Sequence, residues 1–202
     1  FRSLYITAAT ALGVPETSLV TALASCGLAV GLALQGSLSN FAGGIMILIF
    51  KPFKIGDYIV SGEFEGTVCE INVLYTVIIT LDNRKVTIPN GSISNAPVTD
   101  VTGLPTRRMD IPVGIAYAAD IDKALSALLA LAADDKGVLK SPQSTAVVDS
   151  LGDSSVNLIL RVWVSTENYW DVRYRLTKGV KETFDRNGIE IPFPQMDVHI
   201  EK

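Results

Sequence analysis

From Thr17 to Phe50 the chain carries no charged residue, and this one run limits what the rest can do. As a helix rising 1.5 Å per residue it spans about 51 Å, well beyond the roughly 30 Å hydrocarbon core of a bilayer. The run therefore predicts a membrane-crossing helix that tilts, bends or continues out of the membrane. A secretory signal fits poorly, because its apolar part is about 7 to 15 residues long between a basic start and a cleavage site. Gln35 and Gly36 are the expected kink, since a polar side chain followed by a weak helix former ends the cleanly apolar part. A second, partly amphipathic helix is expected from about Ser37 to Phe50. Upstream, Gly13, Pro15 and Glu16 form a break, with proline and a carboxylate suited to a helix start. Arg2 followed by LYITAATAL reads as the end of another apolar segment, and the first residue is Phe rather than Met. Residues 1–16 are thus expected to be the end of a preceding transmembrane helix and a turn, with an N-terminal part missing.

Lys51, Pro52, Phe53, Lys54 and Gly56 close the apolar run, and lysines directly beyond a span predict a cytoplasmic location for everything after about residue 51. Two readings of Lys51 and Lys54 stand side by side: topology anchors, or charges near an inner mouth that bias ions weakly towards anions. Over 51–105 short runs rich in Val, Ile, Thr and Tyr, punctuated by Ser61-Gly62, Asp82-Asn83 and Asn90-Gly91, predict a small antiparallel barrel. Residues 106–202 read strand (MDIPVGIAY), helix (121–133), strand (TAVVDSL), strand (VNLILRVWV), helix (169–187), strand (IEIPF). That β-α-β-β-α-β order is ferredoxin-like, with Asp120 capping the first helix, Asn187-Gly188 stopping the second, and PQMDVHIEK offering one more strand. The fold class expected is a membrane α-helix followed by α+β.

On a helical wheel Leu28 and Leu32 share one narrow stripe, with Thr21, Ala24, Ser25 and Gln35 near it. Gly27 and Gly31 flank the stripe on one side and Ala29 and Ala33 on the other; Leu23, Val30 and Leu34 lie opposite. Small residues on both flanks let copies of a helix pack closely on either side. Such packing closes a ring, and the leucine stripe then forms stacked apolar collars that block ions by dewetting. The same spacing also occurs in membrane helices that only dimerise, so the pattern alone leaves both arrangements open.

The run GLAVGLALQGSLSNFAGGIMILIFKPFKIGDYI at Gly27–Ile59 resembles the pore helix and following loop of the small-conductance mechanosensitive channel family. EGTVCEINVLYT at Glu65, VTIPNGSISN at Val86, GIAYAADID at Gly114 and FPQMDVHI at Phe193 continue the resemblance in order over nearly the whole chain. It implies a kinked pore-lining helix, an Sm-like β domain and a ferredoxin-like domain. It implies Leu28 and Leu32 as the hydrophobic gate and Gly27, Gly31, Ala29 and Ala33 as helix-packing positions. Gln35 and Gly36 then match the kink and Gly44 a second hinge, with Asn40 a polar position between them. Thr21, Ser25 and Cys26 depart from the Ala or Gly common before the gate, but are small enough to pack. The resemblance further implies a homoheptamer in a bacterial inner membrane. Tension would open it on hypo-osmotic shock to pass ions and small osmolytes, without a cofactor.

The formal charge of −4 and a pI near 5.0 offer polyanions no general attraction, so nucleic-acid binding would need a local basic patch that the sequence does not display. A membrane-anchored Sm-like RNA-binding or scaffold module is the alternative, opposed by that charge and by the lack of an aromatic and basic stripe. Cys26 and Cys69 have neither disulfide nor metal-ligand spacing and read as packed small residues. His199 reads as a structural or exposed residue of a terminal strand. Asp149, Asp153 and Glu167 lie near one another without a partner at catalytic spacing, so solvated loop charges account for them and no enzyme is expected. Asn90-Gly91-Ser92 matches a glycosylation sequon but reads as a turn.

Overall fold

The computed structural model describes residues 15–196. The expected preceding helix (1–14), His199 and the last part of the terminal strand lie outside the described residues. The chain forms two compact units, Phe1–Gly103 and Leu104–Lys202.

The first unit opens with α1, Glu16–Phe50, one helix of 35 residues entered from Pro15. No break in the helix marks Gln35 and Gly36, so the separate second helix expected from Ser37 is the continuation of the first. The reason is energetic: glycine in a helix interior costs only about 1 kcal/mol relative to alanine, too little to end a helix with good formers on either side. Helix α1 ends at Lys51, which takes the left-handed conformation (φ 47°) while its N–H donates to the Ile47 carbonyl at 2.9 Å. A left-handed residue directly after the last turn is the common way to close a helix.

Strands β1 (Tyr58–Ser61), β2 (Phe64–Ile71), β3 (Tyr75–Ile79), β4 (Lys85–Pro89) and β5 (Val98–Asp100) follow, with the short helix α2 (Asn90–Ser94) between the last two. They build an antiparallel sheet in the order β4-β3-β2-β1-β5. Its ladder ends at β4 and β5 and does not close on itself among the described residues. Two of the three predicted turns are turns, using Gly62 (φ 60°) and Asn83 (φ 63°), where a left-handed backbone favours these residue types. The third, Asn90-Gly91, is instead the start of α2. Cys69 sits exposed at a register shift between Val68 and Glu70. Ile59, Val68, Ile78, Ile88 and Ile93 form the core with Phe53 and, from α1, Ile47.

In the second unit β6 (Thr106–Ile115), β7 (Thr145–Leu151) and β8 (Val156–Ser165) make a sheet in the order β6-β8-β7. Helices α3 (Ile121–Asp134) and α4 (Tyr169–Asn187) cover one face. Strand β8 alternates buried and half-buried along all ten residues, the period-2 pattern of a strand with one face on a core. Leu158, Leu160, Val162 and Val164 from that strand meet Leu128 of α3 and Leu176 and Phe184 of α4. The predicted caps form. Asp120 accepts from the Lys123 N–H at 3.0 Å, and Gly188 ends α4 with φ 63°. The expected last strand, IEIPF, does not form. The segment touches the sheet through one backbone hydrogen bond, Ala116 N–H to the Glu190 carbonyl at 3.0 Å, and Ile189 reaches the core. Pro192 and Pro194 lack the N–H groups that a ladder needs.

Asp135, just after α3, accepts two hydrogen bonds from Arg175 of α4 at 2.9 and 3.0 Å and one from the Gly137 N–H at 2.8 Å. The hydrogen bonds and charge of Arg175 hold its carboxyl below the ordinary aspartate value, against the opposing effect of burial. With the folded-state pKa depressed, the contribution is complete above the unfolded value of about 3.9 and is lost as pH falls through the folded one. Asp135→Asn is expected to melt below the parent protein at pH 7, and the gap to close on acidification towards pH 3. A gap independent of pH in thermal scans contradicts this assignment.

Candidate pore-lining helix and its anchor

The two halves of α1 use their small residues differently. Gly27, Gly31 and Gly36 have nothing within 4 Å of where a Cβ would lie. At Gly43 an added Cβ would meet Ser94 Oγ at 2.6 Å and the Asn90 carbonyl oxygen at 2.7 Å; at Gly44 it would meet the Val73 carbonyl oxygen at 1.9 Å. The lower glycines are small because the sheet domain of the same chain presses on them. Among the described residues, the upper ones make room for nothing.

A buried amide holds the lower half in place. Asn90 is fully buried. Its Oδ1 accepts from Thr76 Oγ1 at 2.8 Å, its Nδ2 donates to the Asn72 carbonyl at 2.8 Å, and its N–H donates to the Leu74 carbonyl at 3.0 Å. These bonds tie α2 to the β2–β3 connection. The next residue, Gly91, donates its N–H to Asn40 Oδ1 of α1 at 2.9 Å. A side chain at Gly91 would strike Asn40 Oδ1 at 2.7 Å and Ser39 Oγ at 2.8 Å. Ile47, one helical repeat below Asn40, completes the anchor by entering the sheet core, where burial of such a side chain is worth about 1.5–3 kcal/mol.

Above Asn40 the helix is bare. Leu28 is 66% and Leu32 62% exposed, and Leu23, Val30 and Leu34 are exposed on the far face. Gly27, Leu28, Gly31, Leu32, Gln35 and Leu38 line one shallow groove along the helix. At 100° per residue this stripe lies about a quarter-turn from the face holding Asn40, Gly43 and Ile47. The polar residues beside it are internally satisfied: Thr21 Oγ1 donates to the Thr17 carbonyl at 2.7 Å and Ser25 Oγ to the Thr21 carbonyl at 2.8 Å. Hydroxyls bonded back to their own helix leave no donor unpaired in hydrocarbon. Ala29 and Ala33 are exposed on the other flank, and Cys26 is exposed beside them.

Of the predicted positions, the structure puts Leu28, Leu32, Gly27, Gly31, Ala29, Ala33, Gln35 and Gly36 on the unpartnered half. Gly44, predicted as a hinge, is a contact point with Val73, and Asn40 is its neighbour in the anchor. Lys51 is the left-handed residue closing α1. Lys54 belongs to a turn in which its N–H donates to Asp57 Oδ2 at 2.6 Å. Sequence reasoning missed Asn90, Gly91, Thr76 and Gly43. The doubled glycine four residues below Asn40 was the available signal. The sequon reading of Asn90 fails because that side chain is buried and fully engaged.

Among the described residues one apolar helix is long enough to cross a membrane; anchored by its lower end to a β-sheet domain and followed by an α+β unit, it gives the chain the layout of a membrane protein. The family profile described as mechanosensitive ion channel, beta-domain, matches residues 36–103, and that of the mechanosensitive ion channel MscS C-terminal region matches 109–191. An MscS family protein of Synechocystis is 43% identical over 189 residues, covering 94% of this chain and 64% of its own length. The small-conductance mechanosensitive channel of Edwardsiella ictaluri is 42% identical over 176 residues, covering 87% of this chain and 62% of its own length. This chain therefore spans somewhat less than two thirds of those two relatives. The small-conductance mechanosensitive channel of Helicobacter pylori is 34% identical over 196 residues, covering 96% of this chain and 72% of its own. The closed-state crystal structure of Helicobacter pylori MscS superposes with a TM-score of 0.90 at 34% identity, covering 98% of this chain and 78% of that one. The chain belongs to the MscS family.

The anchor makes a contrast between glycines in one helix. Gly44→Ala must push the Val73 carbonyl away and is expected to leave the sheet domain readily cut by protease, whereas Gly36→Ala leaves its resistance unchanged. Equal protease sensitivity of the two variants contradicts the anchor.

Proposed function

We propose that this chain is a subunit of a mechanosensitive ion channel in which several copies of α1 stand around one axis with Leu28 and Leu32 facing inward. The observation that carries this reading is the bare half of α1, an apolar stripe flanked by glycines and alanines that are exposed among the described residues. Small residues on both flanks allow close approach of a like helix on each side. Two stacked leucine collars then exclude water and with it ions. The relatives named small-conductance mechanosensitive channels support the same reading, as does the match to closed-state MscS; by that analogy seven copies make the ring.

Membrane tension favours the state that occupies more area in the bilayer, so a ring with separated helices gains population as tension rises. The pore then widens and wets, passing ions and small osmolytes on hypo-osmotic shock. Gly27, Gly31, Ala29 and Ala33 let neighbouring helices slide. Gln35 and Gly36 supply the least stiff part of α1, just above the section fixed by Asn40 and Gly44, and Gly44 has a packing role in place of a free hinge. Lys51 and Lys54 mark the cytoplasmic end, which puts the sheet domain and the second unit inside the cell, beneath the inner membrane.

Leu28→Ser or Leu32→Ser stabilises water in the constriction and is expected to lower the tension needed for opening in patch recordings, with Leu34→Ser on the opposite face having the smaller effect. Unchanged thresholds in both stripe mutants would overturn the gate assignment.

A further inference from the structure

Between the two compact units, the hydrogen bonds that hold the chain stop and restart within two residues. On the first side, the Val101 N–H donates to the Tyr58 carbonyl at 2.9 Å, and the Tyr58 N–H donates to Thr102 Oγ1 at 2.8 Å. The Thr102 N–H donates to Asp100 Oδ1 at 3.1 Å. On the second side, the Thr166 N–H donates to the Pro105 carbonyl at 2.9 Å and Thr166 Oγ1 to the Leu104 carbonyl at 2.5 Å. Among the described residues, neither backbone group of Gly103 enters a hydrogen bond.

The torsions left free at this junction are few. Pro105 has its own φ fixed and confines Leu104 to extended conformations. Gly103, the last residue of the first unit, has the widest conformational range of any residue type. A Cβ there would lie 2.3 Å from Asp100 Oδ2 and would displace the carboxylate that accepts from the Thr102 N–H. Residues 102–105 are exposed.

We propose that Gly103 is a single-residue hinge about which the second unit pivots while every hydrogen bond on either side stays intact. Hinges of this kind absorb large φ/ψ changes at one or two loop positions between rigid bodies. The pivot lets the sheet domain follow α1, to which Asn40 and Gly44 tie it, without dragging the second unit along.

Spin labels test the hinge without reference to channel current. In the full chain, with Cys26 and Cys69 replaced by serine, labels are placed at Glu63→Cys and Asp122→Cys. A same-unit control carries Asp122→Cys and Thr177→Cys. Labelled copies are diluted with unlabelled ones, so that only distances within one chain are read. The between-unit distance distribution is expected to be about twofold wider than the control or more, as a pivot between rigid bodies requires. Inserting two glycines after Gly103 should broaden it further. Leu104→Pro, which restricts Gly103 as the residue before a proline and removes an N–H that makes no hydrogen bond, should narrow it towards the control. A between-unit distribution as narrow as the control, or one unmoved by the glycine insertion, overturns the hinge even if Leu104→Pro fails to fold. Failure of the pore reading would leave these widths unchanged.

Discussion

Everything in this chain is arranged around a desolvation problem. An apolar helix of 35 residues cannot be left in water along its length, and among the described residues only its lower end is covered. The upper half presents leucines outward on every side and is stable only in lipid, against other helices, or both. A soluble domain would have folded over such a surface. Here the sheet domain engages α1 only from about Asn40 downward.

The anchor explains how that division is maintained. Asn90 is a buried polar residue whose side-chain oxygen, side-chain nitrogen and backbone N–H are each hydrogen-bonded locally, and unpaired groups of that kind are expensive. It locks α2 against the β2–β3 connection, so Gly91 is held where its N–H meets Asn40 and where no side chain can replace it. Gly43 and Gly44 then let the helix backbone lie directly on the sheet domain. Movement of the lower half of α1 must carry the sheet domain with it. The section around Gln35 and Gly36 has no such tie among the described residues.

Much of this was legible in the sequence because the governing patterns are local. Absence of charge from Thr17 to Phe50 defines the helix, alternation in VNLILRVWV defines β8, and Asp120 and Gly188 cap helices as their chemistry directs. The leucine stripe and its small flanks follow from a 3.6-residue period. What the sequence hid depends on distant partners. The role of Gly44 is decided by the Val73 carbonyl, and that of Asn90 by Thr76 and Asn72, and no spacing rule relates those positions. Gln35 and Gly36 read as a bend with a second helix after it because the weak helix-forming tendency there was weighed without the good formers on both sides, through which α1 runs unbroken. IEIPF looked like a strand because its alternation is real, but Pro192 and the Pro194 that follows it have no N–H to offer a ladder.

The central claim is that Leu28 and Leu32 border a water path shared by several copies. It is tested most directly by placing a single cysteine at position 28 or 32 in a chain whose Cys26 and Cys69 are serine, and applying a charged, membrane-impermeant thiol reagent to patches held with and without tension. Modification that alters the current only when tension is applied agrees with a gate that wets on opening. Absence of modification in either condition, together with reaction towards a lipid-soluble maleimide, places these side chains in lipid and contradicts the account.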